Sequence, residues 1–345
     1  MKTSVMMIVA FAMAFLIAVL FGAMLVPFLR KIKAGQAIRE DGPTWHQSKA
    51  GTPTMGGLIF ILAVTVVCLT VGWRRMVDDR DFTHIFVLLF ALIYGGIGFL
   101  DDFEKLKHKQ NLGLTAKQKF LLQLVVAVAF IYLLRLFGLL HMSDKAGCID
   151  LYIPFFNISY AVPELLYVVF AAFVIVGTVN AVNITDGVDG LATGTSLPVF
   201  VFYTALFFFW GERYTGLGIF AAGLTGGLLG FLTYNFNPAK VFMGDTGSLF
   251  LGGAVVAMAF AYDMPLILVT LGAVFLWETL SDIIQVVYFK LTHGKRIFKM
   301  APFHHHLEMG GWTGKKWKEK ELFALFTLVS ALFALLSFFG VSQRF

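Results

Sequence analysis

Ten long apolar runs separated by short polar gaps set the first limit on what this chain can fold into. They lie at approximately 4–29, 54–72, 84–100, 119–140, 162–182, 191–210, 216–232, 248–262, 266–289 and 322–341. A helix of roughly 17–25 apolar residues matches the hydrocarbon thickness of a bilayer. Period-two alternation is absent, and a segment in lipid must satisfy its own backbone hydrogen bonds, so helices fit better than a barrel. With 58% hydrophobic and 14% charged residues and a mean hydropathy of +0.80, the chain is too apolar for a soluble domain. It reads as an all-α integral membrane protein of about ten transmembrane helices, a single polytopic membrane domain over residues 1–345.

The first run ends in Arg30-Lys31 rather than a small-residue cleavage site, so it reads as a retained span. Cys68 and Cys148 make no disulfide framework. An even number of spans puts both termini on one side. The connections at 30–53, 101–118, 183–190, 233–247 and 290–321, with Lys119, hold 19 Lys and Arg, whereas the opposite connections and tails hold 7 and Arg135 lies within a span. Positive charge is retained in the cytoplasm, which places both termini on the extracytoplasmic side and four polar clusters at the cytoplasmic interface. Of the outer connections, His141 to Pro163 is long enough for a short hairpin, and Arg135 should snorkel toward the outer interface. No duplicated halves of the transporter kind are visible.

The first polar cluster is Asp101-Asp102, read as closing the third span. Paired carboxylates at the negative end of a helix are unfavourable without a nearby cation, which a divalent metal or a lysine would supply. Lys105, one turn on, offers an ordinary ion pair if the helix continues. Neighbouring helix positions point about 100° apart, so the two aspartates should have different partners.

In the second cluster Asn180, Asn183, Asp186 and Asp189 recur every third residue into a turn marked by Gly187 and Gly190. The asparagines read either as interhelical glue or, with the aspartates, as a ligand-binding surface. The third runs from Asn235 to Ser248. Its Asp245 reads as a first-turn or N-cap residue of the next helix, or as a carboxylate holding a metal against phosphate at that helix N-terminus. Phe242 offers a ring for a base to stack on, or an interfacial anchor.

The fourth is His304-His305-His306. Adjacent histidines lack the i, i+3 or i, i+4 spacing of a zinc site, so one or two of them bonding phosphate or sugar is the more economical reading beside a structural cluster. Glu278, Asp282 and Gln285 form one polar stripe in the ninth span, either functional or packing glue.

Several carboxylates without cysteine ligands favour a hard, oxygen-liganded cation such as Mg2+. Lys49, Lys105, Lys117 and Lys240 suit a polyanionic substrate, and the ensemble reads as phosphoryl transfer. Nucleic acid is not an expected partner.

The stretches Thr52 to Gly57, Phe99 to Asp102 with Lys105, Leu114 to Lys119, Asn180 to Leu191, Asn235 to Ser248, Glu278 to Ser281 and Ala301 to Glu308 resemble the phospho-N-acetylmuramoyl-pentapeptide transferases of bacterial cell-wall synthesis, within the polyprenyl-phosphate hexose-1-phosphate transferase superfamily. The paired aspartates indicate only the superfamily, while Ala-Pro-Phe-His-His-His-Leu-Glu is specific to that member. The resemblance implies a ten-span enzyme of the bacterial plasma membrane. It would transfer phospho-N-acetylmuramoyl-pentapeptide from UDP-N-acetylmuramoyl-pentapeptide to undecaprenyl phosphate, giving lipid I and UMP.

It further implies Asp245 as the Mg2+ ligand, Asp101 and Asp102 as the essential pair, His304 as the essential histidine and Lys117 as a diphosphate contact. Lys49, Gly187, Asp189, Asn235 and Phe242 would form the nucleoside pocket, and a homodimer among membrane lipids is the family tendency. Asp282 does not match a recognised family position. Two alternatives stay open: a superfamily transferase using a UDP-N-acetylhexosamine, and a lipid flippase or nucleotide-sugar carrier gated by the same clusters.

Overall fold

A computed structural model describes residues 2–32, 51–108 and 113–344. All ten apolar runs are helical. In chain order the helices are α1 (Thr3–Lys31), α2 (Leu58–Thr70), α3 (Trp73–Asp78), α4 (Thr83–His108), α5 (Ala116–Leu136), α6 (Glu164–Thr185), α7 (Leu191–Trp210), α8 (Thr215–Asn235), α9 (Gly244–Ala261), α10 (Leu268–Leu271), α11 (Ala273–Leu291), α12 (Phe303–Glu308) and α13 (Glu319–Val341). The connection after α5 folds back as the expected hairpin, β1 (Cys148–Ile153) antiparallel to β2 (Ile158–Pro163), with Cys148 opposite Pro163 and Ile153 opposite Ile158.

Two runs depart from the expectation of a full span. Among the described residues, eight helices are long and apolar enough to cross a membrane, and a ninth crossing is broken, α11 turning 80° from the short segment Pro265–Leu271. The break falls at Gly272, where the chain passes between two helices without a side chain. The second run gives only the 13 residues of α2, about 20 Å of helix. Its first residues are held instead in an extended pairing with the loop before α9: Phe242 N–H donates to Pro53 O at 2.8 Å, Gly56 N–H to Phe242 O at 2.8 Å and Gly57 N–H to Met243 O at 3.0 Å.

The core is the pair α8 and α9, in each of which 89% of the span is buried, against 28% in α5 and α13. Small residues allow that depth, because helices in lipid associate by close backbone packing rather than by a hydrophobic drive. Ala10, Ala14, Ala18 and Gly22 give α1 one small, buried stripe. It faces α8, where a β-carbon at Gly226 would collide with the Phe11 carbonyl.

The same device joins α4 to α9. A β-carbon at Gly98 would collide with the Asp245 carbonyl, and one at Gly57 with the backbone of Gly247. These contacts bring the end of α4, the start of α9 and the segment before α2 to one end of the bundle.

Candidate active site

Asp101 and Asp102 do not end α4. The helix runs on to His108 and closes with Lys105, Lys107 and His108 in its last turn, a cationic end that suits the helix dipole. Both aspartates are buried, and they point apart as their spacing requires.

Asp102 reaches the N-terminus of α9. Its Oδ1 accepts the Asp245 N–H at 3.2 Å, and its Oδ2 accepts the Thr246 N–H at 2.9 Å and the Thr246 hydroxyl at 2.7 Å. The free N–H groups of one helix are thus capped by a carboxylate from another. Gly244, with φ +73°, makes room, since a β-carbon there would meet Asp102 Oδ2 at 2.7 Å.

Asp101 turns the other way. Its Oδ1 accepts the Leu114 N–H at 2.9 Å, and its Oδ2 lies 2.6 Å from Lys105 Nζ, the i, i+4 pair that the sequence offers.

Asp245 lies between the cations. Met243 precedes α9 as its N-cap residue, and Asp245 lies in the first turn of that helix. Its Oδ2 is 2.8 Å from Lys105 Nζ and 3.0 Å from Lys119 Nζ, while its Oδ1 accepts the Asn183 amide at 2.7 Å. One oxygen from each of Asp101, Asp102 and Asp245 falls within 4.8 Å of the others, a spacing and donor set that fit a hard divalent cation. Three carboxylates and two lysines here leave a net negative charge, which also suits one.

A second centre lies beside it. Glu278 from α11 and His304 from the first turn of α12 are both fully buried, with Glu278 Oε2 at 2.8 Å from His304 Nδ1. A β-carbon at Gly187, in the turn after α6, would collide with His304 Nε2. The segment from Asn183, in the last turn of α6, to Gly187 therefore joins the two centres.

Comparison with known proteins decides the family. Residues 84–263, more than half of the chain, match the model of glycosyl transferase family 4, and residues 49–61 match signature 1 of the phospho-N-acetylmuramoyl-pentapeptide-transferases. Curated proteins called phospho-N-acetylmuramoyl-pentapeptide-transferase are similar end to end. The Clostridium acetobutylicum protein is 43% identical over 328 residues, 95% of this chain and 96% of its own. That of Caldanaerobacter subterraneus subsp. tengcongensis is 44% identical over 97% and 98%, and that of Staphylococcus aureus strain MSSA476 is 46% identical over 94% and 96%. The chain belongs to the phospho-N-acetylmuramoyl-pentapeptide-transferase family. It is a multi-pass membrane enzyme.

In this transferase the singled-out residues fall into distinct surroundings. Asp101, Asp102, Asp245, Lys105 and Asn183 converge, whereas Asn180 donates to Gln123 Oε1 at 2.6 Å and to Val176 O at 2.8 Å, the contact of interhelical glue between α6 and α5. Asp186 caps the C-terminus of α6. Asp189 Oδ2 accepts the Asn237 amide at 3.0 Å and the Ala239 N–H at 2.9 Å. Asn235 is buried between Thr193, which donates to its Oδ1 at 3.0 Å, and Val241 O at 3.1 Å. Phe242 is half-buried, Lys117 is exposed on the first turn of α5, and Lys49 lies outside the described residues.

His305 Nδ1 is 2.7 Å from Glu308 Oε2. His306 accepts the Lys299 N–H at 3.0 Å on Nδ1 and packs against Phe298, Phe303 and Trp312. Burial and the Lys299 charge lower its pKa, so it stays neutral near pH 7.

Sequence reasoning gave no role to Lys119, Asn237 or Glu319. Glu319 Oε2 accepts both the Asp189 N–H at 3.2 Å and the Asn237 amide at 3.2 Å, beside the α6–α7 turn. A signal for Lys119 was present: Thr115-x-x-Gln118 is a capping box, which fixes the start of α5 and puts Lys119 in its first turn.

Proposed function

We propose that this transferase moves phospho-N-acetylmuramoyl-pentapeptide from UDP-N-acetylmuramoyl-pentapeptide to undecaprenyl phosphate, giving lipid I and UMP, with Mg2+ as cofactor. The observation that carries this reading is the gathering of Asp101, Asp102 and Asp245 within 4.8 Å beside Lys105 and Lys119, in a chain of this family. Transfer joins two polyanions, and positioning with charge neutralisation supplies most of its catalysis. An oxygen of the lipid phosphate forms a bond to the β-phosphorus of the nucleotide as the bond from that phosphorus to the bridging oxygen breaks. The electron pair leaves on UMP.

The residues divide this work. Lys105 and Lys119 present two cations toward incoming phosphate oxygens. Asp102 spends both oxygens on the start of α9 and so fixes α9 against α4. Asp245 and Asp101 each turn Oδ2 to a lysine, a contact that a cation can take over, and so are the better candidates to hold the metal, with Asn183 keeping Asp245 in place. Mg2+, when bound, neutralises phosphate charge and orients the diphosphate. Lys117 would contact the diphosphate, and Lys49, Gly187, Asp189, Asn235 and Phe242 would surround the nucleoside. A homodimer in membrane lipid belongs to the same reading.

Purified enzyme in detergent, given both substrates and Mg2+, should release UMP and pyrophosphate-linked lipid in equal amounts and stop with chelator. Turnover of UDP-N-acetylglucosamine in place of the peptide-bearing nucleotide would overturn the choice of substrate. Light scattering of the detergent-solubilised enzyme checks the dimer.

A further inference from the structure

Glu278 and His304 leave one polar atom each without a hydrogen-bond partner among the described residues, Glu278 Oε1 and His304 Nε2, although both side chains are fully buried. A buried polar atom left unpaired is costly, and a buried carboxylate with imidazole stabilises little relative to an apolar pair. Packing alone is therefore a poor account of this pair. The carboxylate is held on the Nδ1 side, at 2.8 Å from the ring nitrogen and 3.4 Å from the His304 backbone N–H. A carboxylate at Nδ1 places the proton there and leaves Nε2 as the reactive nitrogen.

Nε2 in turn faces Gly187, an exposed residue of the turn that follows Asn183, the partner of Asp245. Only a residue without a side chain fits there. The short segment from Asn183 in the last turn of α6 to Gly187 in the turn that follows thus ties the Nε2 side of the imidazole to the carboxylate cluster. Asp282, one helical turn beyond Glu278, lies within electrostatic reach of both His304 and Glu278.

We infer that Glu278 is a positioning residue for the transfer reaction: it fixes the tautomer and ring plane of His304 so that Nε2 is presented past Gly187 toward the substrate phosphates. This rests on the reading of His304 as a residue the reaction needs, and the test separates the two. Turnover and KM for the nucleotide are measured for Glu278→Ala, Glu278→Gln, His304→Ala and the double variants, with thermal melting and UMP binding as controls for folding.

His304→Ala should lose about 10³-fold in kcat, and Glu278→Ala about 10²-fold with KM within threefold. Glu278→Gln, whose carbonyl can still accept the Nδ1 proton, should return to within tenfold of the wild type. Each double variant should match His304→Ala alone, because the carboxylate acts only through the imidazole. Gly187→Ala should lower kcat without touching Glu278.

Glu278→Ala near wild-type turnover beside an inactive His304→Ala overturns the positioning role only. Losses that multiply in the double variant also overturn it. Wild-type turnover in His304→Ala removes the underlying reading and the inference with it. If Glu278→Ala does not fold, the Gln series decides by the same non-additivity.

Discussion

The two ends of the bundle are both charged, yet they use charge differently. At one end Asp101, Asp102 and Asp245 meet Lys105 and Lys119, brought from α4, α5 and α9, with separations of 126 to 144 residues for the contacts between helices. The helices α4 and α9 put the other end about 27 Å away, at Thr83 and Asp263. There Arg75 pairs with Asp79 at 2.6 Å and Asp81 at 3.4 Å, and Asp81 caps the start of α4 through Thr83. Arg135 pairs with Glu164. Arg344 donates to the Tyr262 and Asp263 carbonyls at 3.3 and 2.8 Å, meets the Asp263 carboxylate at 3.4 Å and lies over the Tyr152 ring at 4.3 Å.

The outer pairs are mostly local or tie a chain end to a turn, and no outer carboxylate is shared between two of these cations. The inner cluster holds more carboxylate than its lysines balance. A surplus of like charge, gathered at the expense of desolvation, indicates a ligand rather than a tether.

The sharpest way to break this contrast is Asp245→Asn. It removes the carboxylate shared by both lysines and should cut turnover about 10³-fold, or ~4 kcal/mol, while raising the Mg2+ needed for half-activation. Wild-type activity with unchanged metal dependence would reduce Asp245 to a first-turn residue like any other. Gly98→Ala comes next. Its β-carbon would press on the Asp245 carbonyl, so α4 and α9 must part, costing about 1–3 kcal/mol in stability and tenfold or more in turnover. A melting temperature and rate equal to the wild type would show that the helices need not approach this closely.

The inner cluster was legible only as far as local spacing reaches. Asp101 with Lys105 is an i, i+4 pair visible in the sequence once α4 is known to continue. That Lys119 rather than its neighbour Lys117 meets Asp245 depends on how α5 crosses α4, which no local pattern encodes. Asn180 and Asn183 look alike at three-residue spacing, but one faces Gln123 on α5 and the other Asp245 on α9. The fold shows the same boundary. Apolar length predicted ten helical segments, but not that Thr54 to Gly57 would be drawn off the second and, with Pro53 before them, form a ladder with Phe242 and Met243, nor that Gly272 would break the ninth, since a glycine in an apolar run reads the same straight or bent.

The lysine pair gives a sharper, smaller test. Lys119→Met uncovers Asp245 and should lower kcat about 10²-fold, whereas Lys117→Met, exposed on the same turn, should act mainly through KM and by about tenfold. The reverse order would mean that the Lys119 contact is only an ion pair and that phosphate is met further out.

At the outer end the expected effect lies in stability rather than rate. Burial raises the Asp263 carboxyl to about 6, against the pull of Arg344 and His141, compared with about 3.9 in an unfolded chain. A raised carboxylate pKa means that the folded state holds the proton more tightly, so stability is greatest below the unfolded value and falls as pH rises from about 4 to 6. The loss amounts to about 2–3 kcal/mol and is complete above that window. Asp263→Asn has no such proton to release. Its melting temperature in detergent, relative to the wild type, should therefore rise between pH 4.5 and 7.5, while UMP release at a fixed pH stays within threefold. A pH-independent difference would mean that Arg344 compensates the buried charge in full, and a large loss of turnover would make this end part of the reaction.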